Sequence, residues 1–425
     1  MNKLKKILQV AIGEEIYGFI SPSVELNNIQ SEYKNLIGQP DYKEVESYEK
    51  SLSEYLGGGL VISFASGRMS FYALLKCWNI GEGDEVALTG FTCSVMVNAV
   101  LKTGAKPLFI DIDKDTLGMS PESLRERVGK KTKVVVAQHS FGIPCEIDTI
   151  YDIARENGSY LIEDCAITLG SSYKGKTCGN WGDASIFSTD HTKPLNTLIG
   201  GFVYTNDSTI AQRVREIQCQ CGELTQIHQQ VILKQYLKEH EMEVRRHNNF
   251  ILNNYWRAIR RRLHLQLDKL SPYLEYEAST KLDESPNYPY PAKMPSVLAK
   301  IGKETLNMYK NTVDVRKRRL TELLATASTK SGLYIPKSYY DTERIIIPLR
   351  FVFMTNETDE YSYIDDWVWF KQPIVATIEP MENFGYKAGM CPVAEETGRS
   401  IMNFPILLAE GKHSKMLERI KEIYL

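Results

Sequence analysis

Three short stretches carry residues whose types and spacing could do chemistry. In SFASGRMS, Ser66-Gly67-Arg68 lie between a strand-like run and a helix-like one. Backbone N–H groups at such a helix start can hold a phosphate, although most strand-glycine-helix turns bind nothing. In YLIEDCA, a strand-like run ends on Glu163-Asp164. A carboxylate there could pair with a protonated pyridine nitrogen and keep a cofactor ring electron-poor, or it could cap a helix. In FSTDHTKPL, Ser188 offers a hydroxyl to a phosphate, and Lys193 precedes Pro194 and a Gly200-Gly201 turn. Lys193 could be a reactive amine or a surface lysine. In that order, a phosphate turn, a strand-end aspartate and Ser-x-x-x-x-Lys describe a pyridoxal phosphate (PLP) site.

Such residues need elements that bring them to one place. From 84 to 205, the runs DEVALTG, AKPLFIDID, KVVVAQHS, YLIEDCA, ASIFST and GFVYTND read as strands, bounded by Gly, Asp or Ser. Helical stretches such as SVMVNAVLKTG, PESLRERVGK and IDTIYDIARENG separate several of them. The alternation predicts an α/β fold, a mostly parallel sheet with helices on both faces. Ligands in such sheets sit beyond the carboxyl ends of the strands, where Asp164 and Ser188 fall. Residues 42–57 read as a further helix closed by Gly57-Gly58-Gly59. We divide the chain into a large domain over 1–300 and a smaller C-terminal α+β domain over 301–425, with a mostly helical insertion and loop at 208–286.

The order and spacing of these motifs resemble the DegT/DnrJ/EryC1/StrS family of sugar aminotransferases. GEGDEVALTGFTCSVMVNAVLKTGAKPLFIDIDKDTLGMSPESL, IEDCAITLGSSYKGKTCGNWGDASIFSTDHTK and CPVAEETGRSIMNFPI carry the resemblance. It implies a PLP transferase type I fold, like that of aspartate aminotransferase. It implies that Lys193 is the Schiff-base lysine and later the proton carrier, and that Asp164 pairs with the pyridine nitrogen. Ser188 and the Gly67-Arg68 turn would hold the phosphate, with Arg68 where relatives have a small hydroxyl residue. Cys93 stands where an aromatic residue usually covers the cofactor ring, so Phe91 is the expected substitute. Ile167 stands where relatives place a donor to the phenolic oxygen, so Thr168 would take that task. His139, His191 and Lys293 are candidate substrate contacts, and Asn287 is out of register with the family's phosphate-contacting Asn. The resemblance implies a homodimer with shared active sites that moves an amino group from L-glutamate to a keto-sugar, nucleotide-linked or a sugar acid such as an octulosonate, in polysaccharide or related biosynthesis. The alternatives are a keto-sugar dehydratase, which in this family has His in place of the lysine, and a catalytically silent member with a binding role.

Bulk properties exclude other classes. The net charge of -2 and the lack of a basic arm give nucleic acid no footprint. The eight cysteines are scattered, and the Cys219/Cys221 pair lacks partners for zinc, so we expect reduced thiols, no metal and a cytoplasmic protein. The start MNKLKKILQVAIGEE has too short an apolar run for a signal peptide, and no window suits a membrane helix. The stretch EVRRHNNFILNNYWRAIRRRLHL is either a dock for an anionic substrate or a solvated helix face packing its aromatic residues inward.

Overall fold

The computed structural model describes residues 30–246, 270–274, 287–356, 368–377, 379–408 and 410–422. The first long helix, α1 (Tyr42–Leu56), begins where the Asp41 carboxylate accepts the Lys43 N–H and ends at Gly57, whose φ of 116° suits glycine. Its buried Val45, Tyr48, Leu52 and Leu56 recur at helical spacing and form the face that packs inward.

Seven strands follow: β1 (Leu60–Phe64), β2 (Glu85–Thr89), β3 (Lys106–Ile110), β4 (Thr132–Gln138), β5 (Tyr160–Asp164), β6 (Ala184–Ser188) and β7 (Gly201–Thr205). They form one sheet in the order β1-β7-β6-β5-β4-β2-β3. Pairing is parallel from β6 to β3, and antiparallel where β7 meets β6 and β1. All six strand-like runs between 84 and 205 are strands of this sheet, as their composition predicts. In β4, Val134 and Val136 enter one apolar core, which also holds Phe71 and Phe91. Val135 and Ala137 enter the other, with Ile147, Ile150 and Ile153. Burial on both faces explains the unbroken Val-Val-Val-Ala run, since each buried valine contributes about 1.5–3 kcal/mol.

The connecting helices relevant below are α2 (Gly67–Cys77), α3 (Ser94–Thr103), α4 (Pro121–Arg127), α5 (Ile147–Asn157), α6 (Ser208–Gln220) and α7 (Gln226–Arg246). The long α8 (Ser296–Ala327) packs on α1 and carries the chain to a small antiparallel sheet of Leu333–Tyr334, Arg350–Thr355 and Ile401–Pro405. A two-stranded parallel ribbon, Thr92–Cys93 with Ile374–Val375, ties this C-terminal part to the large sheet. Beyond Arg246, the basic and aromatic stretch falls outside the described residues. Among the described residues, no helix is long and apolar enough to cross a membrane.

Candidate active site

The site lies at the ends of β5 and β6 and at the start of α2. Consecutive residues of a strand face opposite sides, so Glu163 and Asp164 part company. Glu163 turns to the side of α5, where it accepts the backbone N–H groups of Gly179 (2.7 Å), Trp181 (2.6 Å) and Gly182 (2.9 Å). Asp164 is buried, and its Oδ1 accepts the Ala166 N–H at 2.9 Å. Among the described residues, no hydrogen-bond donor reaches its other oxygen. Burial raises the Asp164 pKa above the ordinary carboxylate value, opposed by the Ala166 N–H and by the positive charge of Lys193. A carboxylate so placed gains from a cationic hydrogen-bond donor.

Lys193 reaches this place from the loop that joins β6 to β7. The loop is held by Thr189 N to Gly200 O (2.9 Å), His191 N to Leu198 O (3.1 Å) and Lys193 N to Asp190 O (2.9 Å). Lys193 Nζ lies over the ring of Trp369, 5.2 Å from its centroid. The backbone of Trp369 is fixed by Asn403, whose Oδ1 accepts the Trp369 N–H at 3.2 Å while its Nδ2 donates to the Trp369 carbonyl at 3.0 Å.

Ser188 closes β6 directly against α2. A Cβ on Gly67 would lie 3.0 Å from Ser188 Cβ and 3.1 Å from the Phe187 carbonyl. A Cβ on Gly201 would lie only 2.3 Å from the Gly67 nitrogen, so glycine at 201 lets the helix start rest on β7. The Ser66 hydroxyl accepts the Met69 N–H at 3.3 Å, which caps α2. Among the described residues, the Gly67 N–H has no acceptor, and it sits at the positive end of an 11-residue helix beside Ser188.

Other expected residues go elsewhere. His139 turns to the Glu163 side. Its Nε2 is 3.0 Å from Glu163 Oε2, and its Nδ1 accepts the Cys145 N–H at 3.2 Å. With both ring nitrogens engaged and the side chain fully buried, His139 is not brought to the cleft. His139, Glu163 and Cys165 have the spacing of a metal-binding group, but the His139 and Glu163 ligand atoms are spent on hydrogen bonds. Thr168 donates to the His139 carbonyl at 2.7 Å and accepts the Gly142 N–H at 3.1 Å. Phe91 stacks on Phe370 with centroids 5.4 Å apart. Cys93 is half-buried in the ribbon that joins the C-terminal part, at the start of α3. The Arg68 guanidinium donates to the carbonyls of Tyr273 and Leu274. Lys293 bonds through its backbone to Gly222 at 3.0 Å, and its Nζ is 3.9 Å from Glu223.

His191 is brought close, and its partners were not foreseen. Its Nδ1 is 3.0 Å from Glu239 Oε2, and its ring packs on Tyr273 at 4.7 Å between centroids. Glu239 and Trp369 carry no local sequence signal: one lies on an amphipathic helix, the other in an irregular C-terminal segment.

These groups fit PLP. A buried carboxylate with an unfilled oxygen suits a pyridinium N–H, and a free helix-start N–H beside a hydroxyl suits a phosphate. A lysine whose charge acts on that carboxylate suits covalent attachment.

Residues 25–415 match the model of the DegT/DnrJ/EryC1/StrS aminotransferase family. The chain is 36% identical over 169 residues to GDP-perosamine synthase of Escherichia coli O157:H7, which covers 40% of this chain and 46% of that one. It is 33% identical over 181 residues to L-glutamine:2-deoxy-scyllo-inosose aminotransferase of Streptomyces fradiae, covering 42% and 43%. The chain thus spans about half the length of the curated relatives it matches. In fold it is similar to the aminotransferase from Psychrobacter cryohalolentis, with a TM-score of 0.70, 20% identity, and 95% and 98% of the two chains covered.

Proposed function

Because the chain belongs to the DegT/DnrJ/EryC1/StrS aminotransferase family, whose aminotransferases depend on PLP, we propose that it transfers an amino group to a keto-sugar, with Lys193 as its reactive amine. The convergence of Lys193 and buried Asp164 at the strand ends, next to the Gly67–Ser188 cradle, carries this reading. PLP bound there supplies an electron sink that makes the C–H bond beside the amine acidic.

The protein's own residues then have distinct tasks. Asp164 holds a positive charge on the ring nitrogen by accepting its proton in a hydrogen bond, because a buried ionised carboxylate is costly without such a partner. The start of α2 and Ser188 orient the phosphate end. Lys193 anchors the cofactor and, once released, takes or gives a proton at the carbon beside the amine. An amine flanked by Trp369 and half-shielded from water suits that work.

L-Glutamate is the proposed donor, and the acceptor is a nucleotide-linked keto-sugar or a sugar acid. The name of the Streptomyces fradiae relative, which gives L-glutamine as its donor, makes that amide the second donor to try. A homodimer with shared sites, working in the cytoplasm, completes the reading.

The test is the visible absorption spectrum of the protein with PLP, before and after L-glutamate or L-glutamine, beside Lys193→Ala. The reading expects a band that shifts with a donor and is altered in the variant. A band that no donor moves would count against transamination, and no band at all would remove Lys193 from its role.

A further inference from the structure

The insertion after residue 208 places a carboxylate behind the lysine loop. Glu239 of α7 is 3% exposed. Its two oxygens lie 3.2 and 3.0 Å from His191 Nδ1. Gln235, one turn earlier, donates to Glu239 Oε1 at 2.9 Å, and the Tyr273 hydroxyl donates to the same oxygen. Apolar Ile232, Leu233 and Tyr236 bury the inner face of α7, so the carboxylate is held by a packed helix. The 270–274 turn is pinned in its own right. His228 Nε2 lies 2.9 Å from the Ser271 carbonyl, the Tyr288 hydroxyl donates to the Leu274 carbonyl at 2.9 Å, and Arg68 donates to the carbonyls of Tyr273 and Leu274.

One element thus touches both halves of the site. Through Arg68 it reaches the start of α2, and through Glu239 and Tyr273 it reaches His191, two residues before Lys193. Resting on the reading of Lys193 as the reactive amine, we propose that Glu239 is a positioning residue: it holds His191 and thereby sets the loop that presents Lys193. The 226–246 helix and the 270–274 turn then act as a strap supplied by the same chain. Burial lowers the His191 pKa, but Asp190 and Glu239 raise it further, so the net shift is upward and the ring favours its charged form. The groups facing the ring include Asp190 of its own loop (3.9 Å), Glu239 of α7, Tyr273 of the turn, and Lys193, whose charge opposes the shift. A charged His191 binds Glu239 more strongly than a neutral one, which stiffens the loop.

The test uses the full chain and Glu239→Gln, which keeps the shape and removes the charge. His191 is titrated by NMR in the cofactor-free protein, its signal assigned by its loss in His191→Gln. The rate at which PLP becomes fixed to Lys193 is then followed by borohydride trapping and mass spectrometry. Glu239→Gln should lower the His191 pKa and slow the fixing of PLP on the order of tenfold, the scale of one lost hydrogen bond to a charged group. In a His191→Gln background the same change should cost nothing more, because Glu239 acts through His191. Should Glu239→Gln fail to fold, Glu239→Asp, which keeps the charge but draws it back from the ring by one methylene, must lower the His191 pKa and the rate in the same direction. An unmoved His191 titration, an unchanged rate, or additive effects in the double variant would overturn the proposal. A wild-type protein that never fixes PLP would overturn it together with the proposed function, a result distinct from a labelled wild type and an equally labelled variant.

Discussion

Lys193 Nζ stands over the ring face of Trp369, 5.2 Å from its centroid, although the two residues lie far apart in the chain. The contact joins the loop after β6 to the C-terminal part, so the lysine's surroundings depend on how the two parts dock. A cation over an indole gains about 0.5–2 kcal/mol. Trp369→Ala should therefore slow the fixing of PLP on Lys193 several-fold, read by borohydride trapping and mass spectrometry, because the amine loses the ring that holds it in place. Trp369→Phe should recover most of the wild-type rate.

Lys193→Ala should remove covalent attachment of PLP and cut turnover by about a thousandfold or more, the scale of losing a positioned acid-base group. Borohydride reduction followed by peptide mass mapping checks attachment, and a coupled assay with L-glutamate checks turnover.

Asp164 leads to a crossover. Its folded-state pKa lies above the ordinary value because of burial. The folded protein therefore binds more protons than the unfolded chain between those two values, and stability falls as pH rises through that interval. Without cofactor, Asp164→Asn should melt higher than wild type at neutral pH, and the gap should close as the pH drops below the ordinary carboxylate pKa. With PLP added the order should reverse, because the wild-type carboxylate has gained its cationic partner. Thermal melts at several pH values, with and without PLP, read both effects.

Gly201→Ala tests how closely α2 rests on the sheet. The new Cβ would meet the Gly67 backbone at 2.3–2.4 Å, which no side-chain rotation relieves. We expect a loss of about 3 kcal/mol or more in a denaturant melt, together with weaker PLP binding, since the turn proposed to hold the phosphate must move.

Glu163→Ala should destabilise the fold by about 3–5 kcal/mol, because it strands the buried His139 and three backbone N–H groups. The measurement is again a denaturant melt. Glu163→Gln should recover part of the loss by accepting some of those donors.

Much of this was legible in the sequence because it is local. Apolar runs of strand length, glycine-bounded turns and helical spacing fix β2 to β7 and their helices within a few residues of chain. The order of Gly67, Asp164, Ser188 and Lys193 also survives in the sequence, because the first three each sit at the end of a strand or the start of a helix and Lys193 follows in the loop after Ser188. His139 shows where such reasoning stops. Its position after β4 suggested a substrate contact, yet its ring turns to Glu163, since the direction of a side chain after a strand end is decided by the partner it finds.

The sequence by itself determined the alternating α/β sheet, the strand-end placement of Asp164 and Ser188, and the family likeness that they and Lys193 carry. Only the tertiary structure decided that Glu163 faces away while Asp164 faces the lysine, that Trp369 covers Lys193, and that Glu239 holds His191 from 48 residues away. The reason is physical. Periodicity records which residues are buried on one element, whereas a contact between distant elements depends on how their packed faces meet, and no spacing along the chain encodes that.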